Sequence, residues 1–155
     1  MSSTLLSNLE NSLHFSALAR LSSLEKNYEK SWGFLKLALK YNPDSPFLLY
    51  EFGYILYCLK NHMEAIFWIR KSLELLFRLP AETLHEILKF KAMSLILEIL
   101  ENFKENHEIV KENLAYLRNN VNYDALPNSE GVILEELDSK IREISTKTLF
   151  PHVIV

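Results

Sequence analysis

The sequence predicts an all-α protein, a stack of about seven helices built as repeats, and three observations carry that prediction. The first is an echo at a spacing of 34 residues. Leu18 returns as Phe52, Ala19 as Gly53, Leu21 as Ile55, Lys26-Asn27 as Lys60-Asn61, Leu35 as Ile69 and Leu39 as Leu73. A fixed period of this length, made of two amphipathic helices, is the signature of a helical array whose units bury their apolar faces against one another. The second is sparse punctuation: three glycines and five prolines in 155 residues are too few for the tight turns of a sheet protein. The third is an ordinary balance of 48% hydrophobic and 24% charged residues, that of a folded chain with a sizeable core.

The helices follow from periodicity and end signals. The first is expected over about Thr4 to Leu24, with Leu6, Leu9, Leu13, Ala17, Leu21 and Leu24 on one stripe. Asn27 can cap the second, which runs to about Tyr41 and is closed by Asn42-Pro43-Asp44. Ser45 before Pro46 starts the third, because a proline at the first helical position has no donor to leave unsatisfied. It ends near Leu59. Asn61 with Glu64 three residues on reads as a capping box for the fourth, and Pro80 stops it after about Leu79 by lacking a donor and restricting its neighbour.

A fifth helix is expected over about Ala81 to Asn102 and a sixth over about Glu105 to Asn120. After the loop at 122–128, Ser129 starts a seventh, over about 129–147, with Val132, Ile133, Leu137, Ile141 and Ile144 on its apolar side. The apolar tail 149–155, Leu149 to Val155, follows.

Antiparallel helices approach closely only where small residues meet. Ala19 and Gly53 take that place on the first helix of each unit, and Ser31 and Ala65 on the second. Phe15, Leu18, Leu35, Leu49, Phe52 and Ile69 fill the space around them, while Ala38 and Ser72 meet the next unit. On these residues the chain resembles the tetratricopeptide repeat family. The second unit reads Leu49, Phe52-Gly53, Leu56, Ala65, Ile69 and Ser72; the first reads Phe15, Leu18-Ala19, Ser22, Tyr28, Ser31, Leu35, Ala38 and Pro43. A third, degenerate unit uses Phe90, Met93, Ser94 and Leu97, then Val110, Leu114 and Leu117.

The resemblance implies a single domain, a right-handed helical repeat stack with repeats at about 11–44, 45–79 and 81–120, closed by the seventh helix as a cap. It also implies a concave groove lined by the first helix of each repeat. The second unit then contributes Phe47, Tyr50, Glu51, Tyr54 and Tyr57, and the first contributes Leu13, Ser16, Ala17, Arg20 and Ser23. Tyr50, Tyr54 and Tyr57 fall on one helical stripe, and tyrosine offers large contact area with few rotors to freeze.

The expected function is a non-enzymatic scaffold or adaptor that binds a peptide or helix of a partner protein in this groove. The alternatives are a small cytosolic chaperone of the bacterial type III secretion kind, whose three-repeat members are similar in size, and a structural subunit of a larger complex. A homodimer stays open. A clamp for a C-terminal carboxylate, as in some members of the family, does not fit, since the matching positions are Ser16, Arg20 and Glu51.

Other chemistries are not supported. Five scattered histidines and the lone Cys58 give neither a zinc set nor an internal disulfide, and no phosphate loop or nucleophile elbow occurs. No cofactor is expected. Residues 1–80 carry nine Lys/Arg against seven Asp/Glu, and residues 81–155 carry eight against thirteen. That pattern lacks the basic cluster a nucleic-acid surface needs. With neither a secretory leader nor about 20 consecutive apolar residues, the expected location is the cytoplasm and no membrane span is expected.

Overall fold

The structure, a computed structural model, describes residues 3–102 and 107–120. They form six helices and no strand: α1 Ser3–Leu24, α2 Tyr28–Tyr41, α3 Pro46–Cys58, α4 His62–Arg78, α5 Thr83–Asn102 and α6 His107–Asn120. The all-α expectation holds, with six helices among the described residues in place of seven. The expected seventh helix and the apolar tail lie outside the described residues. The chain divides into two compact units, residues 1–92 and 93–155.

In the first unit α1 packs on α2, α3 on α4, and α2 on α3. The helix starts follow from local chemistry. The Asn27 side chain accepts from the Lys30 amide at 3.3 Å, and the Ser45 hydroxyl accepts from the Leu48 amide at 3.3 Å with Pro46 at the first helical position. The expected capping box of α4 does not form. Asn61 makes no side-chain cap and instead donates its amide nitrogen to the Glu64 carboxylate at 2.9 Å. The two side chains satisfy each other rather than the helix backbone.

The 34-residue echo extends to the turns. Lys26 and Lys60 both adopt the left-handed conformation, at φ 60° and 64°. At the first turn the Asn27 amide donates to the Ser22 carbonyl and the Lys26 amide to that of Ser23; at the second, Asn61 donates to Leu56 and Lys60 to Tyr57, all at 2.9 Å. This pair of crossed bonds is the Schellman ending of a helix, which places a left-handed residue just past the last turn. A side chain there is strained. Lys60→Gly is therefore expected to stabilise the protein by about 0.5–1 kcal/mol, read from urea denaturation; loss of stability would show that the lysine side chain has a holding contact.

The small residues sit where the backbones meet. Ala19, Gly53, Ser31 and Ala65 are all buried, and the Ser31 hydroxyl crosses from α2 to donate to the Ala19 carbonyl at 2.9 Å. Ser72, expected to meet the next unit, turns back instead. Its hydroxyl donates to the Pro46 carbonyl at 2.6 Å, satisfying a buried carbonyl at the start of α3 within its own hairpin. Trp32, Phe52 and Trp68 form a chain of ring contacts, with centroids 6.4 and 5.1 Å apart.

One expected apolar face is not core. The buried residues of α1 are Ser12, Ser16, Ala19 and Ser22, whereas Leu6, Leu9, Leu13, Leu21 and Leu24 are exposed. Small side chains let α1 lie close to α2, and the leucine stripe is left on the other side of the helix.

In the second unit, α5 from Met93 onward buries Met93, Leu95, Ile96, Leu97, Ile99 and Leu100. Apolar residues on most sides mark a helix covered on most sides. In α6 the buried apolar residues Val110, Leu114 and Leu117 follow the i, i+4, i+7 spacing of a single apolar stripe. Ser94, expected at a close helix approach, is exposed; the fully buried small residue of α5 is Ala92.

Candidate functional site

The first unit holds a cleft of about 340 Å³ between its helices. α1 contributes Ala19, Arg20, Ser23 and Leu24, α2 contributes Ser31 and Leu35, and α3 contributes Glu51, Tyr54 and Ile55. Its origin lies in the small residues. Ala19 and Ser31 let helices approach but leave a hollow beside them, floored by Leu35 and Ile55. The one hydroxyl in that floor, on Ser31, is already bonded to the Ala19 carbonyl, so the floor behaves as apolar surface.

The rim is charged and internally balanced. Arg20 Nη2 donates to Glu51 Oε1 at 3.1 Å, with side-chain exposures of 69% and 27%. Such an exposed pair adds little to stability, but it ties α1 to α3 across the mouth of the cleft. The two opposite charges leave the rim with no net charge from this pair.

Tyr54 is the aromatic member, 41% exposed. Its phenol pKa is raised, first by the charge that the neighbouring Cys58 thiol acquires on ionising and by their hydrogen bond, then by burial and by Tyr28 and Tyr50. Each cause disfavours the phenolate, so Tyr54 stays a neutral hydroxyl. A folded-state pKa above the unfolded one means that its stabilising share is complete below the ordinary phenol range and fades as pH climbs through the raised value. Cys58→Ala is expected to bring the Tyr54 pKa down toward 10, the ordinary value, in an NMR titration of ring-labelled tyrosine. An unchanged titration would exclude the thiol as the main cause.

Of the residues expected in the groove, the cleft gathers Arg20, Glu51 and Tyr54, together with Ser23. The tyrosine stripe is graded rather than uniform: Tyr50 and Tyr57 are half-buried, and the Tyr57 ring lies 5.5 Å from that of His62. Phe47 is exposed beside His85, with ring centroids 6.4 Å apart. Ser16 is buried, and Leu13 and Ala17 are exposed outside the cleft lining. The lining residues Leu24, Ser31, Leu35 and Ile55 were missed because the sequence presents them as helix-packing positions. The available signal was the small pair Ala19 and Ser31, which opens a space as well as closing an interface.

Among the described residues no group of three His, Cys, Asp or Glu could hold a metal ion, and no helix is long and apolar enough to cross a membrane. Neither a known protein family nor a curated protein matches this chain.

Proposed function

We propose that this protein is a non-enzymatic interaction module of the tetratricopeptide type, which holds an apolar side chain of a partner's peptide or helix in the cleft between α1, α2 and α3. The observation that carries the reading is the chemistry of that cleft. It has an apolar floor, a balanced Arg20–Glu51 rim and one partly exposed tyrosine. A volume near the lower end of the range for ligand sites, about 300–1,000 Å³, suits one large side chain better than an extended small molecule. An aromatic anchor beside a pocket is also the usual composition of a binding hot spot.

The resemblance to tetratricopeptide repeats supports the same reading, since α1 and α3, the first helices of the first two repeats, both line the cleft, and that family places its groove on such helices. A protein partner follows from this proposal. The test is affinity capture with the full chain and with Tyr54→Ala, each analysed by mass spectrometry. A protein retained by the full chain and lost with the variant supports the cleft. Identical retention by both would overturn it.

A further inference from the structure

We propose that α1 is a homodimerisation helix, packing antiparallel against α1 of a second copy of this chain across a two-fold axis at the level of Phe15. Leu6, Leu9, Leu13 and Leu21 lie outside the cleft lining, whereas Leu24 and Arg20 belong to both surfaces, so Leu13→Asp is the variant that tests this face apart from the cleft.

The face exists because α1 packs on α2 through Ser12, Ser16, Ala19 and Ser22, with Phe15 stacked on Phe34 and Tyr41, and leaves a row of leucines outside. Leu6, Leu9, Leu13, Leu21 and Leu24 are between 36% and 80% exposed. At 100° per residue, Leu6, Leu13, Ala17 and Leu24 fall within about 20° of one line along the helix, with Leu9 and Leu21 on its flanks. Single exposed leucines are ordinary, but a contiguous row of five on one helix marks an interaction surface.

The occupant is identified by the symmetry of the row. Leu6 and Leu24, Leu9 and Leu21, and Leu13 and Ala17 each lie equally far from Phe15 in sequence. A two-fold axis there sets the large Leu13 against the partner's Ala17, and Leu6 level with the partner's Leu24. This is the self-complementary patch that an isologous dimer requires. Charge fixes the direction. The Asp, Glu, Lys and Arg residues of α1 are Glu10 and Arg20 alone, placed five residues on either side of Phe15. In the antiparallel arrangement Glu10 lies level with the partner's Arg20 twice, whereas a parallel one would align each charge with its own kind. Arg20 gives one donor to Glu51 and keeps others of its five free for this contact.

The test is sedimentation equilibrium of the full chain over a concentration series, with circular dichroism as the check on folding. The chain is expected to approach the mass of two copies. Leu13→Asp, at a position 70% exposed, should keep the helical spectrum and weaken self-association by roughly 100-fold. Glu10→Arg and Arg20→Glu should each weaken association alone and regain it when mixed, because only the mixed pair restores both opposite-charge contacts. A chain that stays monomeric throughout would overturn the proposal. So would a dimer untouched by Leu13→Asp, or charge variants that fail to rescue each other.

Discussion

Gly53→Ala is expected to destabilise the protein by about 1–3 kcal/mol, although in an unconstrained helix the same change stabilises by about 1 kcal/mol. A Cβ at Gly53 would stand 2.5 Å from Ile69 Cγ1 and 3.1 Å from the Ala65 carbonyl oxygen. Neither neighbour can give way cheaply. Ile69 is fully buried and its branched side chain has few rotamers, while the Ala65 oxygen belongs to the backbone of α4. Gly33, also inside a helix, meets nothing within 4 Å, so Gly33→Ala is expected to stabilise by about 0.4–1 kcal/mol. Two glycine-to-alanine changes of opposite sign, measured by urea denaturation, separate helix propensity from helix approach. A double-mutant cycle locates the clash: Ile69→Ala should destabilise by about 2–5 kcal/mol alone and by clearly less beside Gly53→Ala. Additive effects would mean that the strain lies against the α4 backbone instead.

Gly53 also shows why much of this fold was legible. A glycine recurring in the place of Ala19, with Ala65 in the place of Ser31, reports a close approach of helices through spacing and side-chain size alone. The turns repeat down to their left-handed lysines because Lys26-Asn27 and Lys60-Asn61 occupy the same point of the period. The face of α1 was less legible. Periodicity locates an apolar stripe but not what covers it, and in α1 the serines and Ala19 make the packed face while the leucines stand outside.

A similar limit applies to Ser72 and to Asn61–Glu64. Hydroxyl and amide groups choose among several acceptors within reach, and spacing alone does not select the Pro46 carbonyl over the next unit, or Glu64 over a helix amide. The site was legible in its rim and not in its floor. Arg20, Glu51 and Tyr54 are conspicuous as polar or aromatic residues on first helices, but Leu35 and Ile55 look like any core residue.

Tyr54→Ala is expected to weaken binding of a captured partner by about 1–3 kcal/mol, on the order of 5- to 150-fold in Kd. Thermal stability should change little, because the ring is 41% exposed and surface truncations usually stay within about 0.5 kcal/mol. Tyr57→Ala serves as the contrast. That ring is half-buried against His62 and does not line the cleft, so its loss should lower the melting temperature more than it weakens binding. The two variants, compared by calorimetric titration with the partner and by thermal melting, separate a ring that contacts a ligand from one that supports its own helix. A large fall in melting temperature for Tyr54→Ala with unaltered affinity would move Tyr54 into the second class. The site would then reduce to the apolar floor and the Arg20–Glu51 rim, which together would have to account for any retained affinity.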